Sequence, residues 1–175
     1  LRRLNDRYTL IHYPEMPRPR AEHVLISPAG IVVLTTREIG GRFRVENDRW
    51  KRLGNRLVAF FLMTGSQLGN PTRDALAQQE SLRRFLAAQG LPGEDLIDAL
   101  IVFVNPKAEL EVISSELTVV MADELVGAVR DLGTEALLHT KQREDLVAAL
   151  SRGDNVEGPI SLPPRGPAAK RASAT

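Results

Sequence analysis

Three polar side chains near the start of the chain, Glu22, Thr35 and Arg37, could form one site, because the residues between them predict two adjacent strands. Strand alternation places all three on one side of the strand pair, beside aliphatic side chains. Directly opposed side chains on such a pair lie about 5 Å apart. An apolar patch with three polar groups at its open end is typical of a functional site on a sheet.

The strand pair itself is predicted by two β-branched and aliphatic runs, residues 24–26 and 31–34, that flank a four-residue turn. In this turn Pro28 and Gly30 take the second and fourth positions, as a type I turn favours. A tight β-hairpin follows. Counting back from the turn gives the cross-strand pairs Ile26–Ile31, Val24–Val33 and Glu22–Thr35.

Composition limits the class of protein. The chain has 175 residues, of which 43% are hydrophobic, enough for one domain with a core. The net charge is +1, and arginine is concentrated in the first third, which points weakly to a polyanion or simply to an arginine-rich surface. The absence of cysteine excludes disulfides, zinc-thiolate sites and thiol catalysis. It suits a cytoplasmic location, and no apolar run is long enough for a membrane span.

The other elements are predicted from periodicity and from helix start and stop signals. Asn70-Pro71 begins the clearest helix, which carries apolar residues at helical spacing to Gln89 and is closed by Gly90. Residues 99–104 form a continuous apolar run, typical of a strand buried on both faces. Further strands are predicted at residues 8–13, 42–46, 109–113 and 117–121, helices at 123–130 and 140–150, a helix end at 1–7, a loop at 14–20 and an ambiguous apolar segment at 57–63.

This order predicts an α/β (α+β) fold with a mixed central β-sheet flanked by helices. We expect one domain over residues 1–152. Residues 153–175 are rich in proline, glycine and alanine and carry Lys170 and Arg171 near the end, which predicts a flexible basic tail.

The order of motifs resembles the nuclease-related domain (NERD) family, a branch of the restriction-endonuclease-like PD-(D/E)xK fold. The resemblance covers roughly residues 8–130, and it is the order and spacing of the motifs, more than any single one, that carries it. The matching residues are Ala21-Glu22-His23, Gly30, Thr35-Thr36-Arg37, Gly41, Trp50, Asn70-Pro71 and Val102-Phe103.

The resemblance implies metal-dependent DNA cleavage. In the family an aspartate and a glutamate on adjacent strands hold Mg²⁺, and a lysine two residues further on helps to activate the attacking water. Here Glu22, Thr35 and Arg37 stand at those positions. Glu22 keeps the charge on a longer arm, Thr35 removes the second carboxylate, and the guanidinium of Arg37 stays protonated and cannot accept a proton. We therefore expect an eroded catalytic motif, without Mg²⁺, in which Glu22 pairs with Arg37.

Another carboxylate could complete a metal site. Glu38 follows Arg37 and would join Glu22 as a ligand if a bulge at Ile39-Gly40-Gly41 re-aimed it. Asp74 and Glu80 on the predicted helix, and Glu15 in the proline-rich loop, are further candidates. With such a ligand set the protein would be a Mg²⁺- or Mn²⁺-dependent nuclease.

Two aromatic residues need a separate interpretation. His23 lies on the opposite strand face from Glu22, and we expect a hydrogen-bonded structural role in preference to a catalytic base. Trp50 is expected to anchor a loop on the sheet edge in preference to stacking on bases.

Three functions remain open at this point. The leading hypothesis is a non-catalytic DNA-binding or scaffold module, whose DNA contacts would be Arg37, Arg42, Arg44, Lys51 and Arg52. The second is an active nuclease with a rearranged ligand set. The third is a regulatory module that binds a protein partner through its basic tail.

Overall fold

The computed structural model describes residues 7–54, 68–133, 135–151 and 156–157. The predicted helix end at residues 1–7 lies almost wholly outside this part of the chain, and the ambiguous segment at 57–63 lies wholly outside it. The described residues form nine strands and three helices. In chain order these are β1 (Thr9–His12), β2 (His23–Ile26), β3 (Ile31–Arg37), β4 (Gly41–Glu46), β5 (Arg49–Leu53), α1 (Pro71–Gln89), β6 (Ile97–Phe103), β7 (Ala108–Val112), β8 (Thr118–Met121), α2 (Leu125–Asp131), α3 (Thr140–Leu150) and β9 (Val156–Glu157).

The strands form two mixed sheets. The larger sheet has the order β8-β6-β3-β2-β1-β9, in which β3, β6 and β8 run parallel and β1, β2 and β9 pair in antiparallel fashion. The smaller sheet has the order β5-β4-β7. Two mixed sheets with three helices agree with a restriction-endonuclease-like α+β fold, so the predicted fold class is confirmed.

The larger sheet buries apolar side chains on both faces. One face packs against α1, α3 and the smaller sheet, which contribute Leu82, Leu146 and Phe43 to a common core. The opposite face packs against α2, which contributes Leu125 and Val129. Because β6 is covered on both sides, its near-continuous apolar sequence is accounted for.

Helix α1 begins and ends where its sequence signals predict. The Asn70 side chain accepts a hydrogen bond from the Arg73 backbone N–H at 3.0 Å, and Pro71 takes the first turn, where its missing N–H costs nothing. Gly90 ends the helix in a left-handed conformation with φ 62°. These caps fix the axial position of α1, and with it the side chains that α1 turns toward β3.

One boundary differs from the sequence-based expectation. β9 lies within the segment predicted as a flexible tail, and it pairs with β1 through Leu10–Glu157 and Ile11–Val156. The edge position of β1 explains the difference, because its unpaired backbone groups accept another strand whatever the composition of the partner. No helix in the described part of the chain is long and apolar enough to cross a membrane.

Candidate functional site at the end of the third strand

The β2–β3 hairpin sets the register of the site. Ile26 pairs with Ile31 and Val24 with Val33, as the turn predicted. The Ser27 hydroxyl accepts hydrogen bonds from the backbone N–H groups of Ala29 and Gly30, both at 3.2 Å. A Cβ on Gly30 would lie 2.6 Å from the Leu96 carbonyl oxygen, so only glycine fits this approach of the turn to the start of β6.

Thr35 lies on the face of β3 that packs against α1, and it is fully buried. Its hydroxyl donates a hydrogen bond to Oε1 of Gln78 at 2.8 Å. Gln78 is itself buried on α1. A buried hydroxyl needs such a partner, so Thr35 acts here as a link between strand and helix.

Glu22 precedes β2, and its carboxylate turns toward the backbone of β3. Oε2 accepts hydrogen bonds from the backbone N–H of Thr36 at 2.7 Å and from the Thr36 hydroxyl. These hydrogen bonds link Glu22 to β3 beyond His23–Leu34, the last residue pair of the two strands.

Arg37 reaches across to α1 instead. Its Nη2 lies 2.6 Å from Oδ2 of Asp74, and its Nη1 donates to the Thr36 carbonyl oxygen at 2.8 Å. The side chain of Arg37 is only 12% exposed, against 41% for Asp74. The expected Glu22–Arg37 ion pair is therefore wrong. Glu22 instead accepts a hydrogen bond from the backbone of Thr36. The long side chain of Arg37 extends to the first turn of α1, and the sequence did not reveal how α1 packs against β3.

These residues do not fit a Mg²⁺ ion, which takes oxygen ligands in near-octahedral array. The three motif positions offer a single carboxylate, that of Glu22, and it already accepts two hydrogen bonds. Asp74 is a candidate replacement, but its carboxylate pairs with the fixed positive charge of Arg37. Across the residues that the structure describes, no group of three or more His, Cys, Asp or Glu side chains could hold a metal ion.

The other candidate carboxylates lie elsewhere. Glu38 is exposed beyond the end of β3, where its carbonyl oxygen accepts a hydrogen bond from Asn105. Glu80 forms ion pairs with Arg83 and Arg84, each at 2.8 Å. The hydrogen bond from Arg83 is the main cause of the lowered pKa of its carboxyl. Glu15 belongs to the proline-rich loop, where its backbone N–H donates to Leu150 on α3.

The arginines predicted to contact DNA do not form one patch. Arg42 and Arg44 point outward from β4 and pair with Glu109 at 3.1 Å and Glu111 at 3.9 Å on β7. Lys51 shares this outer face. Arg52 lies on the other face, with its guanidinium over the Phe43 ring and donating to the Gly40 carbonyl oxygen at 2.9 Å.

Trp50 belongs to β5 and not to a loop, but it is an anchor as expected. Its ring stacks on Phe103 with centroids 5.8 Å apart. Its Nε1–H donates to the Thr72 hydroxyl at 2.9 Å. The half-buried ring therefore joins the smaller sheet to β6 and α1.

Sequence analysis missed one partner at this site, Gln78. Gln78 follows Asp74 by one helical turn, and this spacing places both on the face of α1 that meets β3. The signal was present in the sequence, but it becomes informative only once α1 is known to cross β3. His12 was not assigned a role either, although it lies opposite His23.

Comparison with known proteins identifies the family. The family model of the nuclease-related domain (NERD) matches residues 1–104. The chain therefore belongs to the NERD family. No curated protein matches the chain. No solved structure matches it either.

Proposed function

We propose that this NERD domain is a non-catalytic module. The observation that carries the proposal is that each side chain at the three motif positions is bonded within the protein: Glu22 to Thr36, Thr35 to Gln78, and Arg37 to Asp74. The group in place of a general base is a guanidinium, which holds its proton at any accessible pH. Cleavage by the family's metal-assisted route has no support from this arrangement.

A cleavage assay tests the proposal. Supercoiled and linear DNA are incubated with the protein and Mg²⁺ or Mn²⁺, and we expect no nicking above a protein-free blank. Glu22→Ala is compared with Glu46→Ala, which changes an exposed glutamate at the end of β4. Cleavage that is lost in Glu22→Ala and kept in Glu46→Ala would show an active nuclease with a rearranged ligand set.

We also propose that DNA is the binding partner of this module. Arg49 and Lys51 project from edge strand β5 on the same face as Arg42 and Arg44, and the structure gives neither Arg49 nor Lys51 an ion pair among the described residues. Since Glu109 and Glu111 offset the two β4 arginines, we expect weak binding that depends steeply on salt.

Fluorescence anisotropy with a DNA duplex measures this binding. Lys51→Ala should weaken it and lower its salt dependence, because Lys51 lies on the outer face. Arg52→Ala is the matched control, since Arg52 projects from the other face of the same strand. Equal loss in the two variants would contradict the outer face as the DNA contact, and no binding at moderate salt would favour a protein partner.

A further inference from the structure

His12 and His23 form a histidine pair on the larger sheet. They lie directly opposite one another on the antiparallel strands β1 and β2. Their Nδ1 atoms are 2.8 Å apart, and the ring planes are perpendicular with centroids 4.8 Å apart. Both side chains are partly exposed, so a small solute can approach the pair.

The histidine pair lies on the opposite face of the larger sheet from Thr35 and Arg37. Strand alternation places His12 with Leu10 and His23 with Leu25, whose side chains belong to the core beneath α2. Thr35 lies on the opposite face, with Val33 and α1. A ligand at the histidine pair would therefore not depend on Thr35 or Arg37. Glu22 differs, because its carboxylate accepts a hydrogen bond from the hydroxyl of Thr36, which strand alternation places on the histidine side of β3.

The spacing of the two nitrogens matches that of two imidazoles on one metal ion. Imidazole binds late transition metals at about 2.0–2.1 Å, so two such bonds at a right angle separate their nitrogens by about 2.9 Å. Both rings must turn away from the hydrogen-bond line to aim their Nδ1 lone pairs at a common point. The Nδ1 proton of the donor ring would move to Nε2 of the same ring, which leaves both imidazoles neutral.

We propose that His12 and His23 are two ligands of a binding site for a late first-row transition metal ion, with water in the remaining positions. Square-planar and tetragonal geometries accept ligands at right angles, which favours Cu²⁺ and Ni²⁺, and Cu²⁺ stands highest in the affinity order for such donors. Mg²⁺ prefers oxygen ligands, so we do not expect it to bind to these two nitrogen donors. The site is thus distinct from the metal chemistry of the family.

Cu²⁺ titration of the full chain, followed by calorimetry, tests the site. His12→Gln and His23→Gln should each weaken Cu²⁺ binding at least tenfold. His139→Asn is the control, because the chain has three histidines and His139 lies at the start of α3, where asparagine is also a good cap. The proposal is overturned if both Gln variants bind Cu²⁺ as the unmodified chain does, or if His139→Asn weakens it as much.

A measurement on the unmodified chain makes the test independent of how the variants fold. Electron paramagnetic resonance of the Cu²⁺ complex should show superhyperfine coupling to two imidazole nitrogens. In NMR spectra, substoichiometric Cu²⁺ should broaden the imidazole resonances of His12 and His23 before those of His139. A Cu²⁺ spectrum without superhyperfine coupling to nitrogen, or equal broadening of all three histidines, would mean that the two rings share only a hydrogen bond.

Discussion

At the scale of single residues, the side chains at the three motif positions form hydrogen bonds or ion pairs within the protein. Thr35 and Gln78 satisfy one another in the core, and Glu22 satisfies the backbone of Thr36. Removing one side chain of such a pair would leave the polar group of the other without that hydrogen bond. Substitutions here should therefore change stability.

Thr35→Val removes a hydroxyl and keeps the shape of the side chain. We expect the free energy of unfolding to fall by about 1–3 kcal/mol, because Oε1 of Gln78 loses its donor inside the protein. Thr118→Val, on an exposed position of β8, is the control. Urea denaturation followed by circular dichroism measures both, and an equal, small effect would show that the buried hydrogen bond contributes little.

Asp98 on β6 gives a prediction for pH. Partial burial raises the pKa of its carboxyl, so the folded state holds this proton more tightly than the unfolded chain. The stabilisation from the protonated carboxyl is complete below the unfolded pKa, about 3.9, and is lost as the pH rises through the higher folded pKa.

Asp98→Asn should therefore raise the unfolding midpoint at pH 7 relative to the unmodified chain. The gain is small, on the order of 0.5 kcal/mol, because the side chain is exposed enough for water to screen its charge. At pH 3 the difference should vanish. Thermal unfolding at the two pH values measures it, with Asp95→Asn in the preceding loop as the control, and a gain of the same size at pH 3 would contradict the pKa shift as its cause.

At the scale of secondary structure elements, α1 and β3 carry the site together. Arg37 ends β3 and Asp74 lies in the first turn of α1, where a carboxylate is also favoured by the helix dipole. The ion pair joins the two elements beside the Thr35–Gln78 hydrogen bond. Two side chains of α1, Asp74 and Gln78, thus bond the side chains at two of the motif positions.

A double-mutant cycle of Arg37→Ala and Asp74→Ala measures the interaction between these two side chains. We expect a coupling energy of about 1 kcal/mol, since Arg37 is mostly buried while Asp74 remains partly in water. The pair Glu80–Arg84 on the surface of α1 is the control, with roughly 0.3–0.5 kcal/mol expected for an exposed pair of this spacing. Equal couplings in the two cycles would show that Arg37 and Asp74 contribute no more than a surface pair.

At the scale of the whole molecule, the family match and the fold do not cover the same residues. The match ends at residue 104, whereas β7, β8, α2 and α3 follow it and pack on the two sheets. The chain also covers the edge of β1 with β9. The domain is therefore completed by segments outside the matched region.

Truncation tests the contribution of β9. A chain that ends at Ser151 lacks β9, whereas a chain that ends at Glu157 keeps it. Both should fold, because α3 and its buried residues precede the cut. We expect amide hydrogen exchange in β1 to rise severalfold only in the shorter chain, and equal exchange in the two would show that β9 does not protect this edge.

The sequence by itself determined most of the elements and one register, but it did not predict β5 or β9. The turn at Ser27–Gly30, the pairs Ile26–Ile31 and Val24–Val33, and the caps of α1 depend on residues within a few positions of one another, so local patterns were sufficient. The resemblance to the family likewise predicted three motif positions, Glu22, Thr35 and Arg37.

Only the tertiary structure decided what those groups contact. Arg37 and Asp74 are 37 residues apart in the chain, and Thr35 and Gln78 are 43 apart. Such pairs depend on how α1 packs across the sheet, which follows from the burial of a whole apolar face and not from any local spacing. For the same reason the expected Glu22–Arg37 pair failed, since a long side chain at a strand end selects its partner from every element that packs nearby.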